Sequence, residues 1–344
     1  MSDNSGSGNA MWLVNKISAG LRNRKINKIN KQAHGIIEYQ NTNVSVLFPP
    51  QSYNDSVIIS GGSQNERMCI CKEVLNNASK ENHPIIILHA SNTEIENIIL
   101  ENGLGVIIND RNKYFDAFTS LELNEIAQIV IDTCKTKYDI KPSGRYVLQV
   151  VYDLLLNRGK KPYFSGFVNC PYFKLSDKII ERLNNGSLTQ DAADKLSSCL
   201  LTGQTECPKI DTFFSDMKAQ ISYLSASDPG SVKAISVLSA IKNKKILCID
   251  LRSSVNTMFI ELIVNSLIIA MNRGYNFSFL TDDISFVNNE MLKNLVCQRS
   301  NHKNIIVSKD LYALTGGKED IFSIIIGDTD KTVLFSHNSG VSCE

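Results

Sequence analysis

No two cysteines in this chain stand in the C-x-x-C spacing of a zinc knuckle, although nine are present. Cys69 and Cys71 are separated by one residue, too close for that site, so the thiols are expected to be reduced core and surface groups and no metal is expected. The N-terminus has no basic start followed by an apolar run, so a secretory signal is not expected. The longest apolar stretch, "MFIELIVNSLIIAM" at 258–271, is broken by Glu261, Asn265 and Ser266 and is too short for a membrane span. It reads as a buried helix. Net charge is only +1, so no global field draws the protein to nucleic acid or an anionic bilayer. A nucleophile elbow is missing too: "ISGGS" is not G-x-S-x-G, and His34, His83, His89, His302 and His337 sit in no hydrolase context. His89, at a strand end, is read as a packed polar residue rather than a catalyst.

What is present is an interrupted α/β pattern. Residues 1–33 read as a small polar tail followed by a basic arm, "WLVNKISAGLRNRKINKINKQ" at 12–32. That arm is either a basic amphipathic helix touching membrane or nucleic acid, or a solvated segment packing Trp12, Leu13 and Ile17 on the body. Residues 34–120 carry strand candidates at 35–40, 44–48, 56–60, 84–90 and 105–110, with a helix over 68–78. Residues 121–225 hold five helix-period segments and no good strand, with Ser176, Thr189 and Asp211 as candidate N-caps. Residues 226–344 return to α/β texture. Strands are expected at 244–251, 276–283, 304–310, 322–328 and 331–337, and helices at 257–273, ending on Gly274, and at 288–300.

Two stretches could carry chemistry. "SVIISGGSQNERM" reads as strand, glycine turn and helix, the layout of a phosphate-binding loop. Aligning Gly61 with the first glycine of such a loop leaves Gly62 and Ser63 in the turn. It puts Glu66 on the second glycine, Arg67 on the lysine and Met68 on the hydroxyl. Glu66 repels an anion, the Arg67 fork is longer and flatter than an ammonium, and Met68 cannot bind Mg²⁺. A purely conformational glycine turn is the alternative. In "FSFLTDDISF", Asp282 and Asp283 end a strand where acids can orient Mg²⁺ and activate water. A solvated acidic turn is the alternative there.

The succession "VIISGGSQNERM", a helical block, "FLTDDISFVNNEMLKNLVCQRSNHKNIIVSKDLYAL" and "FSIIIGDTDKTVLFSH" resembles the FtsK/HerA/TraG group of ring ATPases. Within that group it is most similar to the coupling proteins of conjugation and type IV secretion. The resemblance covers roughly residues 50–340 and rests on layout. It implies a RecA-like P-loop NTPase sheet with an inserted all-helical domain, and a β-strand at 56–60 lying side by side with one at 276–281. Lys309 falls on the sensor position, Asp328 near its asparagine, and Arg299 where a trans-acting arginine could stand. Gly61, Gly62, Ser63 and Arg67 then form a vestigial phosphate loop, and Asp282 and Asp283 a vestigial acidic pair.

Departures cluster at the loop's second glycine, lysine and hydroxyl, at the second acid and at the sensor. The resemblance therefore implies a pseudo-ATPase subunit without a bound cofactor. ATP and Mg²⁺ belong to the alternative reading, a weakly active motor moving DNA or protein. A third reading is a non-nucleotide α/β binding module. Family membership further implies an oligomer or an active ATPase partner, a DNA or secreted-protein substrate, and a cytoplasmic place at the inner face of the membrane. The family's membrane spans have no counterpart here, and the chain stops at "SGVSCE", where further family sequence is expected.

Overall fold

A computed structural model describes residues 55–335, apart from 112–114, 158, 160–161, 222–233, 254–255, 286–289, 298–301 and 328. The basic arm at 12–32, the strand candidates at 35–40 and 44–48, Arg299 and Asp328 lie outside the described residues. The described part is one α/β body whose sheet has seven strands: β1 (Val57–Ser60), β2 (Ile85–His89), β3 (Gly105–Ile108), β4 (Ile246–Asp250), β5 (Ser278–Asp282), β6 (Lys303–Ser308) and β7 (Lys331–Leu334). Every pairing is parallel, in the order β3-β4-β2-β5-β6-β1-β7.

Unbroken Val/Ile/Leu runs form the inner strands because a parallel sheet hides both faces. All residues of β1, β2 and β5 are buried, and successive residues point to opposite faces, so both faces are covered.

Helix α1 (Gln64–Lys80) links β1 to β2, and α2 (Thr93–Glu101) links β2 to β3. Between β3 and β4 come α3 (Leu123–Asp132), α4 (Lys135–Tyr138), α5 (Gly144–Leu156), α6 (Phe164–Val168), α7 (Leu175–Asn184), α8 (Gln190–Gly203), α9 (Cys207–Ile221) and α10 (Val237–Lys242). Thr189 caps α8 as expected, accepting from the Ala192 N–H at 3.3 Å. Ser176 and Asp211 instead lie inside α7 and α9.

The apolar side chains of this block join one continuous core with one face of the sheet. Phe118, Val147, Phe213 and Phe214 share it with Ile58, Leu88, Ile249 and Phe279. Phe214 packs against Phe118, Phe164, Phe167, Phe213 and Tyr172 at centroid distances of 5.1–6.2 Å, distances at which ring pairs add to burial.

Helix α11 (Thr257–Asn272) is the expected buried helix. It closes with the Gly274 N–H on the Met271 carbonyl and the Tyr275 N–H on the Ala270 carbonyl, a Schellman ending with Gly274 at φ 75°. Helix α12 (Glu290–Cys297) follows β5, and α13 (Leu311–Leu314) and α14 (Glu319–Gly327) follow β6. Among the described residues no helix is long and apolar enough to cross a membrane.

Two expectations are corrected. The segment 322–328 is not a strand but most of α14: Ile321 and Ile325 are buried while Ile324 is 43% exposed, a one-sided i, i+4 pattern. The strands at 56–60 and 276–281 share the sheet but are not side by side, because β6 pairs with both β1 and β5 and lies between them. That insertion matters for the site, since β6 ends at Ser308 and places Lys309 between the glycine turn and the acidic pair.

Candidate functional site

The carboxyl ends of β1, β6, β5, β2 and β4 form one edge, and the residues singled out from the sequence gather there. After Ser60 the chain turns on Gly61 (φ 84°) and Gly62 (φ 61°), a backbone region that costs glycine nothing. The Gly61 N–H donates to the Ser308 carbonyl at 3.1 Å, tying the turn to β6. At Gly62 a Cβ would lie 2.6 Å from Phe335 Cβ and 2.7 Å from Glu66 Oε2, so no side chain fits.

Ser63 then caps α1. Its Oγ accepts from the Glu66 N–H at 3.3 Å, while Glu66 Oε2 accepts from the Ser63 N–H at 2.7 Å and the Ser63 hydroxyl at 2.8 Å. This is a capping box, the S-x-x-E pattern that satisfies orphan amides at a helix start. The helix therefore begins at Gln64, and the Arg67 N–H already donates to the Ser63 carbonyl at 3.3 Å. Residues 64–67, which a phosphate loop leaves open, form the first helical turn instead. The hydrogen bonds from Ser63 hold the Glu66 carboxyl below its usual range.

Arg67 is only 5% exposed. Its Nη1 donates to the carbonyls of both Gly61 and Gly62 at 2.9 Å, and its Nη2 lies 3.9 Å from Asp283 Oδ2. The guanidinium is thus committed to the turn's own oxygens. Asp283 takes a left-handed backbone (φ 51°), and its Oδ1 accepts the Lys309 backbone N–H at 2.8 Å. Lys309 meets the acidic pair through its main chain, and its side chain is exposed. The structure accordingly brings Gly61, Gly62, Ser63, Arg67, Asp283 and Lys309 together.

Asp282 is buried and accepts a hydrogen bond at Oδ2 from Asn92 Nδ2. Burial pushes its carboxyl up to about 6; the Asn92 bond opposes this, Asp283 adds to it, and Arg67 opposes it. Asn92 Nδ2 also lies 3.7 Å from Met68 Sδ, so the thioether stands beside Asp282 where a metal-binding hydroxyl was sought.

On the other side of Asp282 is His89, its register partner on β2, and beyond His89 is Asp250 on β4. An acid, an imidazole and an acid therefore line up across three adjacent strands. His89 Nδ1 accepts the Asn92 N–H at 3.0 Å, which leaves Nε2 to carry the proton, 3.6 Å from Glu96 Oε1. Burial lowers the His89 pKa to about 4 against the opposing pull of Asp250. Glu96 is held by Asn109 Nδ2 at 3.1 and 3.0 Å, and burial raises its pKa. β2 and β5 are also neighbours whose onward connections run in opposite directions along the sheet, to β3 and to β6. Ligands of open α/β sheets bind at such a divergence.

Sequence reasoning missed Asn92. Its one signal is an Asn standing immediately before the helix that opens with Thr93 and Glu94, the mark of an N-cap, and its Oδ1 does accept the Glu94 N–H at 3.0 Å. The capping box was equally readable as Ser63-x-x-Glu66.

Measured against a magnesium–triphosphate, these residues do not fit. The cation is spent on carbonyls, a carboxylate fills the helix start, a thioether replaces the hydroxyl, and Asp282 is engaged by Asn92. Among the described residues no group of three His, Cys, Asp or Glu side chains is arranged to hold a metal.

No protein-family model matches the chain, and no curated protein matches it. Among solved structures it is similar to VirB4 of Thermoanaerobacter pseudethanolicus, at TM-score 0.45 and 11% identity over 87% of this chain and 80% of that one. It is also similar to the bacterial conjugative coupling protein TrwBdeltaN70 in its unbound monoclinic form, at TM-score 0.44 and 13% identity over 88% and 74%. The plasmid coupling protein TrwB in complex with ADP and Mg²⁺ gives TM-score 0.43 and 11% identity over 89% and 76%. These are likenesses of chain path, and identity this low carries no residue role across.

Proposed function

We propose that this chain is a non-hydrolysing subunit built on a nucleotide-binding fold, of the coupling-protein kind, serving a conjugative DNA-transfer or type IV secretion machine. It acts by binding a partner or substrate, with the helical block at 121–225 as the recognition domain and an oligomer or an active ATPase as its companion. The place of action is the cytoplasm at the inner face of the membrane. The family part of this reading rests on the order of segments along the chain.

The non-hydrolysing part rests on one observation: Arg67, the only cation at the lysine position, spends both Nη1 hydrogen bonds on the Gly61 and Gly62 carbonyls. A group so engaged is not free to stabilise charge developing on a transferring phosphoryl group.

Titration with labelled ATP in the presence of Mg²⁺ tests this. The expected result is no saturable binding at micromolar nucleotide and no phosphate release. Micromolar affinity with turnover overturns the reading.

A further inference from the structure

The loop between β2 and α2 is held by acceptors on three adjacent strands. The Ser91 N–H donates to Asp250 Oδ1 on β4 at 2.9 Å, the Asn92 N–H to His89 Nδ1 on β2 at 3.0 Å, and Asn92 Nδ2 to Asp282 Oδ2 on β5. All three acceptors belong to titratable side chains. Gln64 Nε2 donates to Asn92 Oδ1 at 2.7 Å, so the same loop is tied to the start of α1. Ser91 is held in a left-handed backbone (φ 58°), which a serine rarely adopts and which relaxes once the loop is free. His89 has a second direction open to it. Its ring is fully buried, its Nε2 has no hydrogen-bond acceptor, and Glu96 Oε1 stands 3.6 Å away, just beyond bonding distance.

We infer that residues 90–92 form an acid-released clasp: neutral His89 holds it shut, and protonated His89 releases Asn92 and turns its charge to Glu96. The neutral ring accepts at Nδ1 through its lone pair, and a proton there opposes the Asn92 N–H. The proton comes from solvent, and the Nδ1–H bond is the only covalent bond formed. Three carboxyl groups surround the ring: Asp250 on β4, Asp282 on β5 and Glu96 on α2. Arg67, Asp283 and Glu94 act on Asp282, and Asp110 and Arg111 act on Glu96. The nearby thiols of Cys71 and Cys248 are kept protonated by burial. Burial also keeps the proton off His89 in the closed loop, lowering its pKa to about 4. Asp282 works in the same sense: the Asn92 bond lowers its carboxyl, so a proton on Asp282 also favours release.

The test is amide hydrogen exchange of the full chain, resolved by NMR and corrected for the intrinsic effect of pH. Protection of the Ser91 and Asn92 amides is expected to fall at least about tenfold between pH 6.5 and about pH 4, the window between the free and the buried imidazole. Ile87 and Leu280, in the same sheet, should keep theirs. His89→Asn places an amide oxygen near the Nδ1 position and takes up no proton, so it should abolish the fall. Glu96→Gln removes the receiving charge but keeps an acceptor for Asn109, and should move the opening to lower pH. If His89→Asn does not fold, the ring nitrogen shifts of wild type decide, since His89 must titrate together with the two amides. Flat protection in wild type overturns the inference. So does an equal fall in His89→Asn, a simultaneous loss at Leu280, or a ring that titrates apart from the amides.

Discussion

Asn92 donates a side-chain hydrogen bond to Asp282 across 190 residues of sequence, joining the loop after β2 to the end of β5. Through its backbone N–H the same residue holds His89 Nδ1. One asparagine therefore bonds a buried carboxylate, opposing the upward pull of burial on it, and fixes the tautomer of a buried imidazole. The two groups respond to pH with opposite sign.

Asp282 titrates at about 6 in the folded chain, against 3.8 for an unperturbed aspartate. As pH rises from about 4 to 6, the folded state keeps a proton that the unfolded state has released, so stability falls; the size is up to about 3 kcal/mol. Asp282→Asn removes that fall. Urea midpoints measured from pH 4 to 7 should show the variant gaining on wild type as pH rises through this window. Parallel curves would mean that Asp282 is ionised throughout.

His89 titrates at about 4 against 6.5 for a free imidazole, because burial opposes its charge. Its contribution is complete above pH 6.5 and is lost as pH falls toward 4, where the unfolded chain binds a proton the folded chain refuses. His83, lowered to about 4 by burial, acts in the same direction. In an Asp282→Asn background, His89→Gln should flatten part of the remaining acid loss, leaving the parts due to His83 and to His302, which burial also lowers. An unchanged slope in the double variant removes His89 from the account.

Gly62 and Gly103 share nearly the same backbone, φ 61° and 60°, but a Cβ at Gly103 meets nothing within 4 Å while one at Gly62 meets Phe335 and Glu66. Gly103→Ala should cost only the left-handed penalty, about 1–2 kcal/mol. Gly62→Ala should cost at least about 1 kcal/mol more, since overpacking adds roughly 1–3 kcal/mol. Thermal denaturation of the pair isolates the contact with Phe335 and Glu66, and equal losses would show that Phe335 gives way.

Arg67→Ala leaves two turn carbonyls without their side-chain donor and Asp283 without its nearby cation. The expected loss is about 1–3 kcal/mol, the cost of leaving the turn's carbonyl acceptors unpaired, since Asp283 is exposed and stays hydrated. Arg67→Lys cannot reproduce the planar fork and should recover only part of it. Chemical denaturation checks both. A loss below about 0.5 kcal/mol for the alanine variant would mean that the arginine is not holding the turn.

The helical and strand content was largely readable, because uninterrupted apolar runs such as Ile85–Leu88 suit only a position hidden on both sides. It failed at 322–328, where "FSIIIG" is too short for period alone to separate strand from helix, and only the packing of Ile321 and Ile325 on one side settled it. At the site, the residue types that depart from a phosphate loop were visible, but the contacts they make were not. Glu66 looked like a repulsive substitution and is a cap. Arg67 looked like a lysine substitute and is a brace for the turn.

Local sequence by itself marked the buried strands β1, β2 and β4, the place of the glycine turn and the acids at the end of β5, since these follow from side-chain period and backbone freedom over a few residues. Only the tertiary structure decided that β6 lies between β1 and β5, that Asp250, His89 and Asp282 stand in one row, and that Asn92 reaches Asp282. Parallel strands are joined by long crossovers, so which strands become neighbours, and hence which buried polar groups must satisfy one another, is set by packing across the whole chain.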